Sequence, residues 1–369
     1  MTDPAVEPGS AGARRAATRR QSAVRLVLVA VWLAIVFGLI LPQVVDYGDM
    51  VAAFAAAPPL GILVVALIGV GGWLFEGLAL VALLPGLRVR QGVSQWLAVQ
   101  AVGNTIPGPL DWALGYRMLA VWGIGSALAA LAITLNTLLM TVSRLVFPTL
   151  AVFILTALDR IPGWGWLVAV LLMLPVALGS AIGAWILRSE AFARRVGAFA
   201  TRATGSVLRR IHRPDPGDLT DRLLSFRRAA RGLLRRRAIP AVVTQVGART
   251  IWLICLVASL RVVGVPAELI PWDVILAVYA FVLAFTLVPL SPGGAGIPEL
   301  IYIWAFTSYV GDPSWDSAIA AGVMLMRAFQ WFIPIPAGYA ALAIHLRRHP
   351  ETLRAVQADV EAEDEPVIA

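Results

Sequence analysis

Apolar runs long enough to cross a bilayer recur along almost the whole chain, at residues 25–41, 60–84, 126–157, 164–187, 239–262 and 317–346. About 20 helical residues cover a hydrocarbon core of about 30 Å, since each residue adds about 1.5 Å. Such a chain has few options. Within lipid every backbone N–H and C=O needs a partner inside the protein, and a run of this length finds those partners as a helix. Composition agrees: 59% of the 369 residues are hydrophobic and only 14% are charged, against roughly a quarter charged in soluble domains. The expected fold class is an all-α polytopic membrane protein.

Two further apolar stretches are broken at their centres. NTIPGPLDW (104–112) divides 93–122, and PLSPGGAGIPE (289–299) divides 272–308. Arginine supplies all the basic charge, because the chain has no lysine, and its distribution orients the segments. Arg14, Arg15, Arg19, Arg20 and Arg25 place the N-terminus in the cytoplasm. Loop 42–58 carries Asp46 and Asp49 without a basic residue and is external. Arg88 and Arg90 return the chain inside. Residues 188–238, with Arg194, Arg195, Arg209, Arg210, Arg227, Arg228 and Arg235 to Arg237, are cytoplasmic, and Arg347 and Arg348 keep the C-terminus there. The run at 25–41 is read as a retained span, since Pro42 and Gln43 follow it where a signal peptide needs small residues.

An even number of crossings must separate residues 90 and 188, and the segments 126–157 and 164–187 supply two. The stretch 91–123 therefore enters and leaves from the cytoplasmic side. By the same parity 272–308 enters and leaves from outside. About six full spans plus two re-entrant broken-helix hairpins result, arranged as an inverted repeat. Segment 60–84, hairpin 91–123 and segment 126–157 correspond to 239–262, hairpin 272–308 and 317–346. If each broken element spans fully the parity is unchanged, so charge alone leaves that alternative open. The organisation is a disordered basic N-terminus (1–23), a first membrane half (24–187), a basic cytoplasmic loop (188–238), a second half (239–346) and an acidic cytoplasmic tail (347–369). Within the basic loop, Leu223, Phe226, Ala230 and Leu233 share one face of 223–237. That pattern suits a helix lying on anionic lipid, or a solvated loop.

Broken backbone at membrane depth is tolerated where it is buried in protein or lines a wet cavity. Gly293, Gly294 and Gly296 permit positive φ and close approach, and Pro298 suits the first turn of a new helix. Glu299 falls in that turn, as Asp111 does after Pro107, Gly108 and Pro109. Each break thus aims a helix N-terminus inward, which favours an anion; equally, the two acids can simply cap those ends. Glu76, Arg144, Arg249 and Arg327 lie within apolar runs, where an isolated charge costs roughly 2.5–3.5 kcal/mol or more. Glu76 and Arg249 fall at similar depths and are read as a structural ion pair. Arg144 and Arg327 occupy equivalent places in the two halves. They are candidates to hold a lipid phosphate, or to pair with Asp111 and Glu299. Arg117 follows the first break closely and joins the candidate list.

NTIPGPLDWALGYRM (104–118) and PLSPGGAGIPE (289–299) resemble motifs of the lysylphosphatidylglycerol synthase transmembrane region, a flippase-like family of integral membrane proteins. Leu110 stands where that family more often has glycine. The resemblance implies a region that moves phospholipid between leaflets, while a separate cytoplasmic domain synthesises aminoacylated lipid. No such domain is expected here, so the chain reads as a flippase and not an enzyme. Carried over onto this chain, the family's pattern falls on Asn104, Pro107, Asp111, Arg117, Pro292, Gly293, Gly294, Gly296 and Glu299, with Arg144 and Arg327 as embedded charges. The expected partners are membrane lipids that are anionic or bear phosphate, and an envelope-biosynthesis protein. No nucleic acid, cofactor or metal is expected. The competing readings are an ion- or proton-coupled transporter of a small solute, and a non-catalytic partner of a lipid synthase.

Overall fold

The computed structural model describes residues 46–106, 110–160, 188–210, 219–287 and 295–352, with scattered positions in 31–42 and 167–186. The expected N-terminal segment 1–23, most of the runs at 25–41 and 164–187, and the tail beyond residue 352 lie outside the described residues. Among the described residues every regular element is a helix. Four stretches are long and apolar enough to cross a membrane: Pro59–Leu83, Ser126–Ala157, Leu219–Val262 and Pro313–Arg348. The chain is an all-helical membrane protein.

Helix α1 (Tyr47–Ala56) begins in the stretch read as external loop, capped by Asp46, whose carboxylate accepts the Gly48 N–H at 2.6 Å. It is followed by α2 (Pro59–Leu83), α3 (Val89–Thr105), α4 (Leu110–Val121) and α5 (Ser126–Ala157). Then come α6 (Glu190–Arg210), α7 (Leu219–Val262), α8 (Trp272–Phe285) and α9 (Ile297–Val310). The last stretch holds α10 (Asp316–Arg327), a π-helical turn (Ala328–Phe332) and α11 (Pro334–Arg348).

Helix α2 shows how apolar sequence is sorted when lipid is the solvent. Leu60, Leu63, Leu67 and Leu74 are exposed along one face. The opposite face buries Val65, Gly69, Gly72, Glu76, Leu80 and Leu83. Glycine and the charged Glu76 join apolar residues on the inward face, while a row of leucines faces outward, the reverse of a soluble helix. Glycine lets neighbouring backbones close up: a Cβ on Gly77 would sit 2.6 Å from Val93 Cα of α3. The most extensive packing joins α2 to α7. Helix α3 lies along α11, and α8 lies along α5.

The stretch 188–238, read from sequence as a loop, is largely helical. Helix α7 runs unbroken for 44 residues, through Pro240 and across the boundary expected at 239. Its arginine-rich N-terminal part pairs with α6, and buried Arg227 donates to the Ile186 carbonyl, just before α6, at 2.9 Å. The face containing Phe226, Ala230 and Leu233 packs on Leu80, Leu83, Leu84 and Leu87. This corrects the lipid-surface reading of 223–237. Because α7 continues without a break, that face is carried over the end of α2 and covered by protein.

Candidate functional site

Three clusters of polar side chains lie in the membrane region. The first follows the second break. Pro292, Gly293 and Gly294 lie outside the described residues; the description resumes at Ala295. Gly296 has φ 93°, a conformation that a side chain would strain, and it starts α9. Pro298 occupies the first turn, where its missing N–H leaves no bond unmade. Glu299 is fully buried and both of its oxygens are engaged. One accepts the Gly296 N–H at 2.8 Å, and the other accepts Arg327 Nε at 2.7 Å. Arg327 ends α10 and also donates to Gln330 Oε1 at 2.6 Å.

Immediately after Arg327 the helix widens into its π turn, and the Ile333 N–H reaches back to the Ala328 carbonyl at 2.8 Å. The sequence explains why: Pro334 has no N–H to return to the preceding turn, so the ladder must shift. The Phe329 carbonyl is taken instead by Trp73 Nε1 of α2 at 2.7 Å. One turn earlier Gly69 lets the Phe329 side chain press against the α2 backbone, where a Cβ would approach to 2.7 Å.

The second cluster flanks the first break, and Pro107 falls outside the described residues. Helix α3 ends with Asn104 buried. Its Oδ1 accepts from Gln100 at 3.1 Å, while its Nδ2 is buried without a partner. Thr105 shares a hydrogen bond with Tyr339 of α11 at 2.5 Å. Asp111, second in α4, accepts the Trp112 N–H at 2.9 Å and lies close against Gly103. Arg117 lies one and a half turns on, its guanidinium 6.0 Å from the Tyr116 ring centroid.

The third cluster sits where α2, α5, α7 and α8 meet. Glu76 Oε1 and Arg249 Nη2 are 2.5 Å apart, and both residues are buried. Tyr279 of α8 donates its hydroxyl to the Arg249 carbonyl at 2.9 Å and meets Phe147 of α5 edge to face. Arg144 lies one turn before Phe147, within electrostatic reach of Arg249, Glu76 and Tyr279. Among the described residues its guanidinium reaches the Met140 sulfur at 3.9 Å, and its Nε is buried without a partner.

The structure therefore brings Glu299 to Arg327 and Glu76 to Arg249, but it does not bring Asp111 to Arg144. Among the described residues no carboxylate pairs with Arg144. No group of His, Cys, Asp and Glu side chains among them is arranged to hold a metal ion. Sequence reasoning missed Trp73, Gln330 and Tyr279. Pro334 together with Pro336, soon after an embedded arginine, was a readable sign of a disturbed helix beside Arg327. Nothing in the sequence marked Trp73 or Tyr279 among so many aromatic residues. No protein-family model matches the chain, and no curated protein matches it.

Proposed function

We propose that this chain is a lipid translocase of the plasma membrane, moving a phosphate-bearing headgroup between leaflets past its embedded arginines. The observation that carries this reading is Arg144. It sits in an apolar helix beside a neutralised Glu76–Arg249 pair, yet among the described residues no carboxylate pairs with it. A lone guanidinium in a bilayer is costly. It is worth keeping where an oxoanion comes to it, since the planar fork of Arg matches phosphate oxygens. The resemblance of 104–118 and 289–299 to a flippase-like family points the same way.

Full architecture enters the proposal too: six spans, both termini in the cytoplasm, and two re-entrant hairpins related by an inverted repeat. Arm length supports it. The hairpin arms have 17, 12, 14 and 14 residues, and at about 1.5 Å per residue each falls short of a core of about 30 Å. Packing supports it as well, because the first arm of each hairpin lies along the closing helix of the other half, α3 on α11 and α8 on α5.

Reconstitution into liposomes tests the function. Labelled phospholipid moving to the opposite leaflet, with no uptake of small solutes under a proton gradient, is the expected result. Solute accumulation without lipid movement would replace this reading with that of a coupled transporter.

A further inference from the structure

Helices α5 and α7 meet along a polar seam. Near its cytoplasmic end Gln245 Nε2 donates to Asn136 Oδ1 at 3.0 Å. Arg249 follows one turn later on α7 and Arg144 two turns later on α5. These two guanidinium groups lie within electrostatic reach of each other and, among the described residues, share one nearby carboxylate, Glu76. Glu76 takes Arg249 Nη2. What remains is one uncompensated positive charge and two Nε–H donors, one on each arginine, both shielded from solvent and both without an acceptor. Tyr279 donates its hydroxyl to the Arg249 carbonyl and does not accept from either Nε–H.

Each of those features is unfavourable on its own. A buried N–H without an acceptor loses its hydration, and like charges on facing apolar helices repel. One oxoanion between the arginines removes all three penalties together. It accepts from both Nε–H groups, screens the repulsion and cancels the residual charge.

We propose that Arg144 and Arg249 hold one oxoanion between them, and that Glu76 sets its charge at one by neutralising the second cation. The site then selects a singly charged oxoanion such as a phosphodiester over a doubly charged phosphomonoester. Arg249 is thus a ligand-binding residue as well as an ion-pair partner, and Glu76 is a specificity determinant. This deepens the lipid-translocase reading and rests on it only for the source of the anion.

The test is a titration of melting temperature for the purified full chain in detergent at pH 8, where a monoester with a second pKa of about 6 is mostly dianionic. The probes are short-chain phosphatidylglycerol, short-chain phosphatidic acid, free glycerophosphoglycerol and an alkyl glucoside without phosphate. The diester lipid should half-saturate at a concentration at least tenfold lower than the monoester, and the glucoside should give no shift. Arg144→Gln, which orphans no partner, should abolish the diester response. Glu76→Gln should move the preference to the monoester; if that variant does not purify folded, the wild-type comparison and Arg144→Gln decide. Equal or tighter binding of the monoester, or a diester response that survives Arg144→Gln, overturns the proposal. Free glycerophosphoglycerol binding as tightly as the lipid would uphold the anion site and count against the lipid as its source. Lipid movement with no preference for diesters would do the opposite.

Discussion

A carboxylate in the first turn of a helix commonly does no more than cap it, but Glu299 caps α9 through Gly296 and holds Arg327 as well. Removing one member of a buried pair leaves the other uncompensated, at a cost of about 3–5 kcal/mol. Glu299→Gln should therefore lower the melting temperature of the purified protein clearly, and adding Arg327→Gln should restore much of the loss. Two independent, additive losses would show that the pair is not a unit. Trp73 is the second residue to probe, since Trp73→Phe keeps the ring and removes the donor to the Phe329 carbonyl. A buried carbonyl left without a donor costs about 1–3 kcal/mol, which the same thermal scan should register as a smaller loss. The chemistry of Glu299 was readable in the sequence because proline and glycine before it mark a helix start. Its partner was not, because Arg144 and Arg327 look alike until their neighbours are placed.

At the scale of elements, close crossings are set where glycine removes a side chain. A Cβ on Gly338 of α11 would collide with the Leu97 carbonyl and come within 2.6 Å of the Ala101 side chain of α3, whereas a Cβ on Gly71 of α2 meets nothing within 4 Å. Overpacking of this kind costs about 1–3 kcal/mol, while alanine for glycine in an unobstructed helix is favourable by roughly 0.5–1 kcal/mol. Gly338→Ala should thus lower the melting temperature and Gly71→Ala should leave it unchanged or raise it. A matching pair of shifts would contradict the crossing geometry. Helix positions were legible from apolar run length, since α2 and α5 fall close to the runs at 60–84 and 126–157. The start of α7 was not. A change from arginine-rich to apolar sequence marks a change of surroundings, and a helix passes through it without interruption.

At the scale of the whole molecule, exposed Leu60, Leu67, Ile239, Val243, Phe281 and Trp304 lie on membrane-region helices, as expected of surfaces that face lipid. The distribution of arginine predicts an orientation with Asp49 outside and Arg235 in the cytoplasm. With buried Cys255 the only native thiol, Asp49→Cys should react with an impermeant thiol reagent on intact cells and Arg235→Cys only after the membrane is opened. The reverse pattern would invert the topology. The most direct test of the central claim is the rate at which labelled phospholipid changes leaflet in proteoliposomes holding the wild type, Arg144→Gln or the surface control Arg235→Gln. Movement is expected in the wild type and the control, with a loss of at least tenfold in Arg144→Gln at a retained melting temperature. Movement at the wild-type rate in folded Arg144→Gln would contradict that claim.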